Sequence, residues 1–354
     1  MTDQQAPVAR VHIVGAGLIG ASIGLGLSAE GWPVTIADRS PDVERLARGL
    51  GAGAKLDSGP DPDLVVVAVP PAAAIREILD ALARWPGAVV TDVASVKAPL
   101  AAAVAAAGMS ARYVGSHPMA GREVSGAAAA QGDLFRARPW VICADGASDA
   151  AVTLVRNVAE ALGADVVAIE AAAHDAAVAR LSHAPQVAAS AVAAALAGLA
   201  PTDLGLAGQG LRDVTRIAAS DPAMWTDIAR LNEFHLRAAL GDIVRDLEAV
   251  RDSTDIGEAL AALIERGRAE VARIPGKHGA RRRDWAEVTV IVPDEPGQLL
   301  RLLTDIATLD VNVEDLAIEH SPRQPVGLVT LSVDPTRADS LGDALAERQW
   351  EVAS

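Results

Sequence analysis

The sequence is short of several residue types, and each shortage narrows what this 354-residue chain can be. Cys143 is the only cysteine, which excludes an internal disulfide and a cysteine-based metal cluster, and no metal site is predicted. No apolar run reaches the roughly 18 residues of a membrane span without a charge or a Gly or Pro break. The polar first ten residues lack the apolar stretch of a signal peptide. We therefore expect a cytoplasmic protein with no membrane partner.

Positive charge and aromatic side chains are also scarce. The chain has three lysines, 3% aromatic residues and a formal net charge of −15. This excess of negative charge repels nucleic acid, so no nucleic-acid partner is predicted. The 51% hydrophobic and 22% charged fractions are those of a globular protein, in which alanine fills many core positions.

Residues 1–170 alternate short apolar runs with helical patterns. This alternation predicts an α/β Rossmann-type domain with a parallel sheet covered on both faces. The predicted strands are Val11–Val14, Val34–Ala37, Leu64–Val69, Ala88–Thr91, Tyr113–Gly115, Trp140–Cys143 and Val166–Ile169.

Residues 171–275 lose the strand pattern and become alanine-rich helices, clearest at Ser182–Ala197 and Met224–Val250. Apolar residues on several helical faces predict an all-α dimerisation domain and a homodimer. Residues 276–284 form a Gly- and Arg-rich linker. Residues 285–354 show a β-α-β-β-α-β pattern, which predicts a ferredoxin-like α+β domain.

A glycine-rich motif follows the first predicted strand and opens a helix, as in dinucleotide-binding domains. Gly15 permits a tight turn, Gly17 allows close approach of a pyrophosphate, and Gly20 allows close packing of helix on strand. The free N–H groups around Leu18 and Ile19 can bind the phosphates. Further contacts are predicted at the carboxyl ends of the next two strands, where Asp38, Arg39, Val69 and Pro70 stand. Asp38 can bind the ribose hydroxyls and favours NAD over NADP, whereas Arg39 is able to face a phosphate.

Two polar residues follow later strands of the same sheet. Ser95 comes after Ala88–Thr91, and His117 is the second residue after Tyr113–Gly115. Ligands bind beyond the carboxyl ends of strands in an open parallel sheet, so both should lie near the nicotinamide. Histidine suits proton removal from a hydroxyl that loses hydride, and Ser95 can orient the imidazole. His174, His235, His278 and His320 have no recognisable functional cluster around them, and His12 lies in a predicted strand and is interpreted as structural.

Five motifs in order make the chain resemble the prephenate dehydrogenases, enzymes of tyrosine biosynthesis. They are Gly15–Gly20, Thr91–Lys97, Gly115–Gly121 with Glu123 and Ser125-Gly126, Leu181–Pro185, and Gly210–Trp225. The resemblance implies a small-molecule substrate, prephenate, which is oxidatively decarboxylated to 4-hydroxyphenylpyruvate with NAD⁺. It also implies that His117 hydrogen-bonds the ring hydroxyl with support from Ser95.

The same resemblance assigns roles around the substrate. Arg216 would bind a substrate carboxylate, while Glu123 and Ser125 would line the loop after His117. His183 and Gln186 lie in the stretch Ser182–Gln186, where family members often have a second histidine at the last position. Gln186 cannot carry charge, so arogenate and 4-amino-4-deoxyprephenate stay open as alternative substrates.

The C-terminal unit resembles an ACT domain. Such domains bind amino acids near the first helix, which places Asp294, Pro296, Gly297 and Asn312 in an effector site. The resemblance implies control by an aromatic amino acid, with a purely dimerising unit as the alternative.

Two other functions explain the sequence less well. A generic 3-hydroxy-acid dehydrogenase usually carries a catalytic lysine on its helical domain, and residues 171–275 contain none. A non-catalytic amino-acid sensor leaves Ser95, His117 and Arg216 without a role.

Overall fold

The computed structural model describes residues 8–56, 59–120, 126–274, 285–320 and 326–353. Contacts divide the chain into two compact units, Met1–Asp252 and Ser253–Ser354. The predicted helical domain extends to residue 275 and therefore crosses this division. The three predicted boundaries, after residues 170, 275 and 284, stay a prediction.

The first unit is built on a seven-stranded sheet. Its strands are β1 (Val11–Val14), β2 (Val34–Ala37), β3 (Leu64–Val67), β4 (Val89–Asp92), β5 (Tyr113–Pro118), β6 (Pro139–Cys143) and β7 (Asp165–Ala168). They are ordered β2-β1-β3-β4-β5-β6-β7, and all seven predicted strands are confirmed within two residues at each end except the carboxyl end of β5, which runs three residues further.

One pair departs from the predicted parallel arrangement, because β5 and β6 run antiparallel with Gly115 opposite Cys143. A parallel neighbour needs a long crossover, usually an α-helix. Between these two strands the described residues contain only a 3₁₀ turn at Ala127–Ala129, so the chain returns directly.

Helices cover both faces of this sheet. They are α1 (Leu18–Ala29), α2 (Pro41–Gly49), α3 (Pro71–Arg84), α4 (Ala98–Ala106) and α5 (Asp149–Ala161). Successive residues of a strand point to opposite faces. In β3, Val66 accordingly belongs to one core cluster, while Val65 and Val67 belong to the other. The continuous apolar run of β3 follows from its burial on both sides.

The rest of the first unit is helical. It contains α6 (Ala171–Val178), a π-helical turn (Ala179–His183), α7 (Ala184–Ala194), α8 (Pro201–Leu204), α9 (Gln209–Thr215), a 3₁₀ turn (Arg216–Ala219), α10 (Pro222–Leu231) and α11 (Glu233–Arg251). The predicted single helix Met224–Val250 is wrong, because Asn232 separates two helices. The buried side chain of Asn232 donates to the backbone oxygen of Asp175 over 2.8 Å, which holds the chain at this break.

The second unit begins with α12 (Ile256–Val271) and continues with β8 (Ala286–Pro293), α13 (Gln298–Thr308), β9 (Val313–His320), β10 (Val326–Val333), α14 (Pro335–Glu347) and β11 (Glu351–Ala353). The four strands form an antiparallel sheet ordered β11-β8-β10-β9. This confirms the predicted β-α-β-β-α-β order. Among the described residues of both units, no helix is both long and apolar enough to span a membrane.

Candidate active site

The glycine-rich turn between β1 and α1 has the shape that a pyrophosphate requires. Gly15 has φ +101°, and a Cβ there would lie 2.2 Å from the backbone oxygen of Ala68. A Cβ on Gly20 would lie 2.0 Å from the oxygen of Gly15. Gly17 instead faces open space, with no atom within 4 Å of its added Cβ. Gly15 and Gly20 therefore shape the turn, and Gly17 leaves room beside the first-turn N–H groups at Leu18 and Ile19.

The carboxylate after β2 supports the same turn. Asp38 Oδ2 accepts from the Ala16 N–H over 2.8 Å, and Oδ1 accepts from the Ser40 N–H over 2.8 Å. Asp38 is half-buried, and Arg39 beside it is exposed. Val69 is half-buried and Pro70 is exposed at the carboxyl end of β3, the same edge of the sheet. The ribose-binding role of Asp38 stays a prediction, as do the roles of its neighbours.

A buried ion pair closes the loop between β4 and α4. Lys97 Nζ contacts Asp92 Oδ2, and both side chains are wholly buried. Asp92 also accepts from Tyr113 Oη over 2.7 Å and from the Ala94 N–H over 2.9 Å. Burial, followed by the charge of Asp92, raises the pKa of the Tyr113 hydroxyl well above its usual value. Lys97 therefore holds the loop that carries Ser95.

His117 lies in β5 and is half-buried. Its Nδ1 lies 3.0 Å from Nε2 of His174, and the two rings meet edge to face. Burial, followed by the positive charge of Lys97, lowers the pKa of His117 well below its usual value. Ser95 is half-buried on the loop before α4. Within the described ranges, the hydrogen-bond partner of the His117 ring is His174. The sequence instead predicts that Ser95 orients this ring.

His174 is thus a residue whose place the sequence analysis missed. It lies on α6, where its Nδ1 is 2.8 Å from Oδ1 of Asp175. Asp175 also accepts from the backbone N–H groups of Lys97 and Ala98, each over 2.8 Å. The signal in the sequence was a His-Asp pair inside an otherwise apolar helix, since buried polar groups need partners.

A second cluster lies around His183 on the π-helical turn. Asn232 Nδ2 lies 3.2 Å from His183 Nδ1, and His183 Nε2 has no hydrogen-bond partner among the described residues. Burial lowers the pKa of His183 to about 4, so its ring is neutral near pH 7. With Nδ1 accepting from the amide, Nε2 carries the hydrogen and is a free donor.

His183 lines a largely apolar cavity of about 240 Å³. Gln186 and Ser220 line it, and Gln186 Nε2 donates to the backbone oxygen of Ile217 over 2.9 Å. Trp225 supplies a second buried donor, Nε1, that lacks a partner in the described part of the chain. The structure therefore brings the predicted residues His183 and Gln186 to one cavity with two unsatisfied N–H groups.

For the remaining predicted site residues that it describes, the structure gives a position in the fold but does not place them among the residues that line the cavity. Arg216 is exposed at the start of the 3₁₀ turn whose Ala218 lines the cavity. Glu123 and Ser125 lie outside the described residues. In the second unit, the predicted effector residues are exposed. Gly297 has φ +91° and precedes α13, while Asp294 and Pro296 stand in the turn after β8 and Asn312 stands before β9.

Comparison with known proteins agrees with this geometry. Residues 23–168 match the family model "Prephenate dehydrogenase, nucleotide-binding domain", and residues 170–262 match "Prephenate dehydrogenase, dimerization domain". A "probable prephenate dehydrogenase" of Streptomyces niveus is 35% identical over 97% of this chain and 99% of its own length.

Solved structures show the same relationship. The Aquifex aeolicus prephenate dehydrogenase in complex with hydroxyphenyl propionate and NAD⁺ is 26% identical with a TM-score of 0.67, over 76% of this chain and 100% of that one. The Synechocystis arogenate dehydrogenase is 26% identical with a TM-score of 0.62, over 75% and 99% of the two chains. The predicted resemblance is confirmed: this chain belongs to the prephenate dehydrogenase family of NAD-dependent enzymes.

Proposed function

We propose that the chain oxidatively decarboxylates prephenate to 4-hydroxyphenylpyruvate. The observation that carries this proposal is the half-buried, neutral His117 at the sheet edge, held by His174 in a chain of the prephenate dehydrogenase family. The turn at Gly17 and the first turn of α1 would hold NAD⁺, which supplies the hydride acceptor when bound.

The chain's own residues provide the rest of the chemistry. His117 accepts the hydrogen of the ring hydroxyl and so favours loss of hydride from the carbon that bears it. Departure of the ring carboxylate as CO₂ leaves an aromatic ring, which makes the step effectively irreversible. Arg216 suits a substrate carboxylate, because a guanidinium makes charge-assisted bonds to both oxygens.

The proposal is tested by NADH absorbance with NAD⁺ and prephenate, comparing the wild type with His117→Asn. We expect the variant to lose about 10²- to 10⁴-fold in kcat, the range for a general base, with unchanged affinity for NAD⁺. His235→Asn, on α11, is the matched control and keeps its activity. Full turnover by His117→Asn would refute the proposed mechanism.

Arogenate or 4-amino-4-deoxyprephenate is the second candidate substrate, and Gln186 is the observation that favours it. Gln186 is buried and lines the cavity where relatives often carry histidine. Competition among the three cyclohexadienyl compounds in one assay decides between them through the ratio of their kcat/KM values.

We also propose that an aromatic amino acid regulates the enzyme through Asp294, Pro296, Gly297 and Asn312. The support is the ferredoxin-like order of the second unit and the left-handed Gly297 that opens α13. Asp294→Ala and Asn312→Ala should abolish inhibition by tyrosine or phenylalanine while kcat is kept. Asp339→Ala, an exposed carboxylate on α14, is the control. A wild type indifferent to every aromatic amino acid would leave only the dimerising role.

The helical part of the chain supports a homodimer as the functional assembly. Residues 170–262 match a domain described as a dimerisation domain. Large apolar side chains are exposed along the same stretch and just beyond it, including Phe234, Leu247, Ile256, Leu260 and Ile264. An apolar helical face of this kind is buried when a second copy covers it.

A further inference from the structure

A buried row of polar groups lies behind His117 and reaches from the sheet to the helical part of the first unit. His117 Nδ1 is 3.0 Å from His174 Nε2, and His174 Nδ1 is 2.8 Å from Asp175 Oδ1. His174 is 2% exposed and Asp175 is 1% exposed, so water does not compete for these bonds. None of the motifs that carry the family resemblance contains either residue.

The direction of the hydrogen bonds is set at the far end of the row. Asp175 Oδ1 and Oδ2 accept from the backbone N–H groups of Lys97 and Ala98, which can only donate. These N–H groups stand at the start of α4, where the helix dipole favours a negative charge. Asp175 therefore presents acceptor oxygens to the ring of His174.

The acceptor oxygen of Asp175 fixes the tautomer of His174, and His174 then fixes the tautomer of His117. His174 Nδ1 carries its hydrogen toward Asp175, so in the neutral ring Nε2 has the lone pair. That lone pair accepts from His117 Nδ1–H. His117 is neutral because its burial disfavours the charged form, so its Nε2 is left with a lone pair.

We propose that His174 and Asp175 are positioning residues that hold His117 in the tautomer whose Nε2 accepts the substrate's hydroxyl hydrogen. The catalytic part of this inference rests on the proposed function, and the tautomer itself does not. Packing alone does not explain the pair, because α6 is otherwise built of alanine and valine, and polar side chains are costly to bury without a purpose.

Two substitutions of His174 separate positioning from packing. Gln places its amide near the position of the imidazole Nε2, so in His174→Gln the amide oxygen can still accept from His117. Asn reaches only the position of Nδ1, so His174→Asn keeps a bond to Asp175 and leaves His117 Nδ1 without its acceptor. We expect kcat to fall at least tenfold further in His174→Asn than in His174→Gln, with equal KM for NAD⁺.

Asp175→Asn tests whether Asp175 sets the direction of the hydrogen bonds in this row. Asp175 Oδ1 accepts from both the Lys97 N–H and His174 Nδ1, so an NH₂ group in its place donates to His174 and reverses every bond in the row, while the amide oxygen accepts from the Ala98 N–H alone. We expect a fall in kcat of about 10²-fold or more, as when a catalytic histidine is held in the wrong tautomer. Equal kcat in the two His174 variants, or an unaltered kcat in an Asp175→Asn variant whose His117 hydrogen has moved to Nε2, would overturn the positioning role.

The tautomer is read directly by ¹⁵N NMR of the histidine-labelled full-length protein without substrate, with the His117 signals identified by their loss in His117→Asn. We expect hydrogen on Nδ1 and none on Nε2, and hydrogen on Nε2 would overturn the inference. This readout needs no turnover and no folded Asp175 variant. A wild type with the expected tautomer that does not oxidise any cyclohexadienyl substrate would refute the proposed function alone.

Discussion

The buried pair of Asp92 and Lys97 determines the shape of the loop beneath the site. Both side chains are wholly buried, and Asp92 already accepts from Tyr113 and from the Ala94 N–H. Removing one partner of such a pair is far more costly than removing both, because a lone charge then stays buried. The pair also acts on the site, since the charge of Lys97 contributes to the lowered pKa of His117.

We expect Lys97→Met to lower the free energy of unfolding by about 3–5 kcal/mol, the cost of leaving a buried charge unpaired. The measurement is urea denaturation followed by circular dichroism. Asp92→Asn combined with Lys97→Met should recover a large part of this loss, because no charge is left. A loss within the error of the method in Lys97→Met alone would show that the pair is dispensable.

Gln186 is the residue at which the substrate preference can be changed. Its amide is neutral and bonds the oxygen of Ile217 beside the cavity. Hydrogen bonds to charged groups contribute about 1 kcal/mol more than neutral ones, so we expect Gln186→His to lower KM for prephenate about fivefold once the imidazole protonates against a carboxylate. Gln209→His, on the exposed α9, is the control. Unaltered KM for all three cyclohexadienyl substrates would remove Gln186 from the site.

At the scale of elements, two glycines of the turn between β1 and α1 have different predicted roles. Gly15 is needed for folding, and Gly17 is needed for cofactor binding. Gly15→Ala should cost about 1–3 kcal/mol from its left-handed backbone alone, and its Cβ would also meet the oxygen of Ala68. Gly17→Ala meets open space, so its stability should be unaltered. We expect Gly17→Ala to raise the Kd for NAD⁺ roughly tenfold, which corresponds to about 1.4 kcal/mol, measured by calorimetry. Wild-type affinity in Gly17→Ala would place the pyrophosphate elsewhere.

The elements also show what the sequence could and could not predict. Strand–helix alternation predicted the sheet and placed His117 at its edge, because apolar runs and turn residues act locally. The break at Asn232 and the contact between His117 and His174 depend on partners 57 residues away in each case. Alanine-rich helices carry little periodic signal, so the π-helical turn at Ala179–His183 could not be predicted from residue patterns. The polar pair His174-Asp175 in an apolar helix indicates buried partners, but not that His117 is one of them.

At the scale of the whole molecule, the exposed apolar residues of α12 need a partner. Ile256, Leu260 and Ile264 are spaced by four residues, so they lie along one face, and they are 63%, 46% and 52% exposed. In the described part of the chain, no residue of α12 is buried. A helix with such a face is stabilised by packing against another surface.

We expect Leu260→Glu combined with Ile264→Glu to convert a dimer into monomers, since the two carboxylates would have to be buried at the interface. Light scattering after size-exclusion chromatography measures the mass. Ala262→Glu adds a single carboxylate about 200° around the helix from Leu260 and should leave the dimer intact. If the double variant keeps the mass of the wild-type dimer, then α12 does not form the interface. The exposed large apolar residues of α11, Phe234, Val244 and Leu247, then become the surface to test.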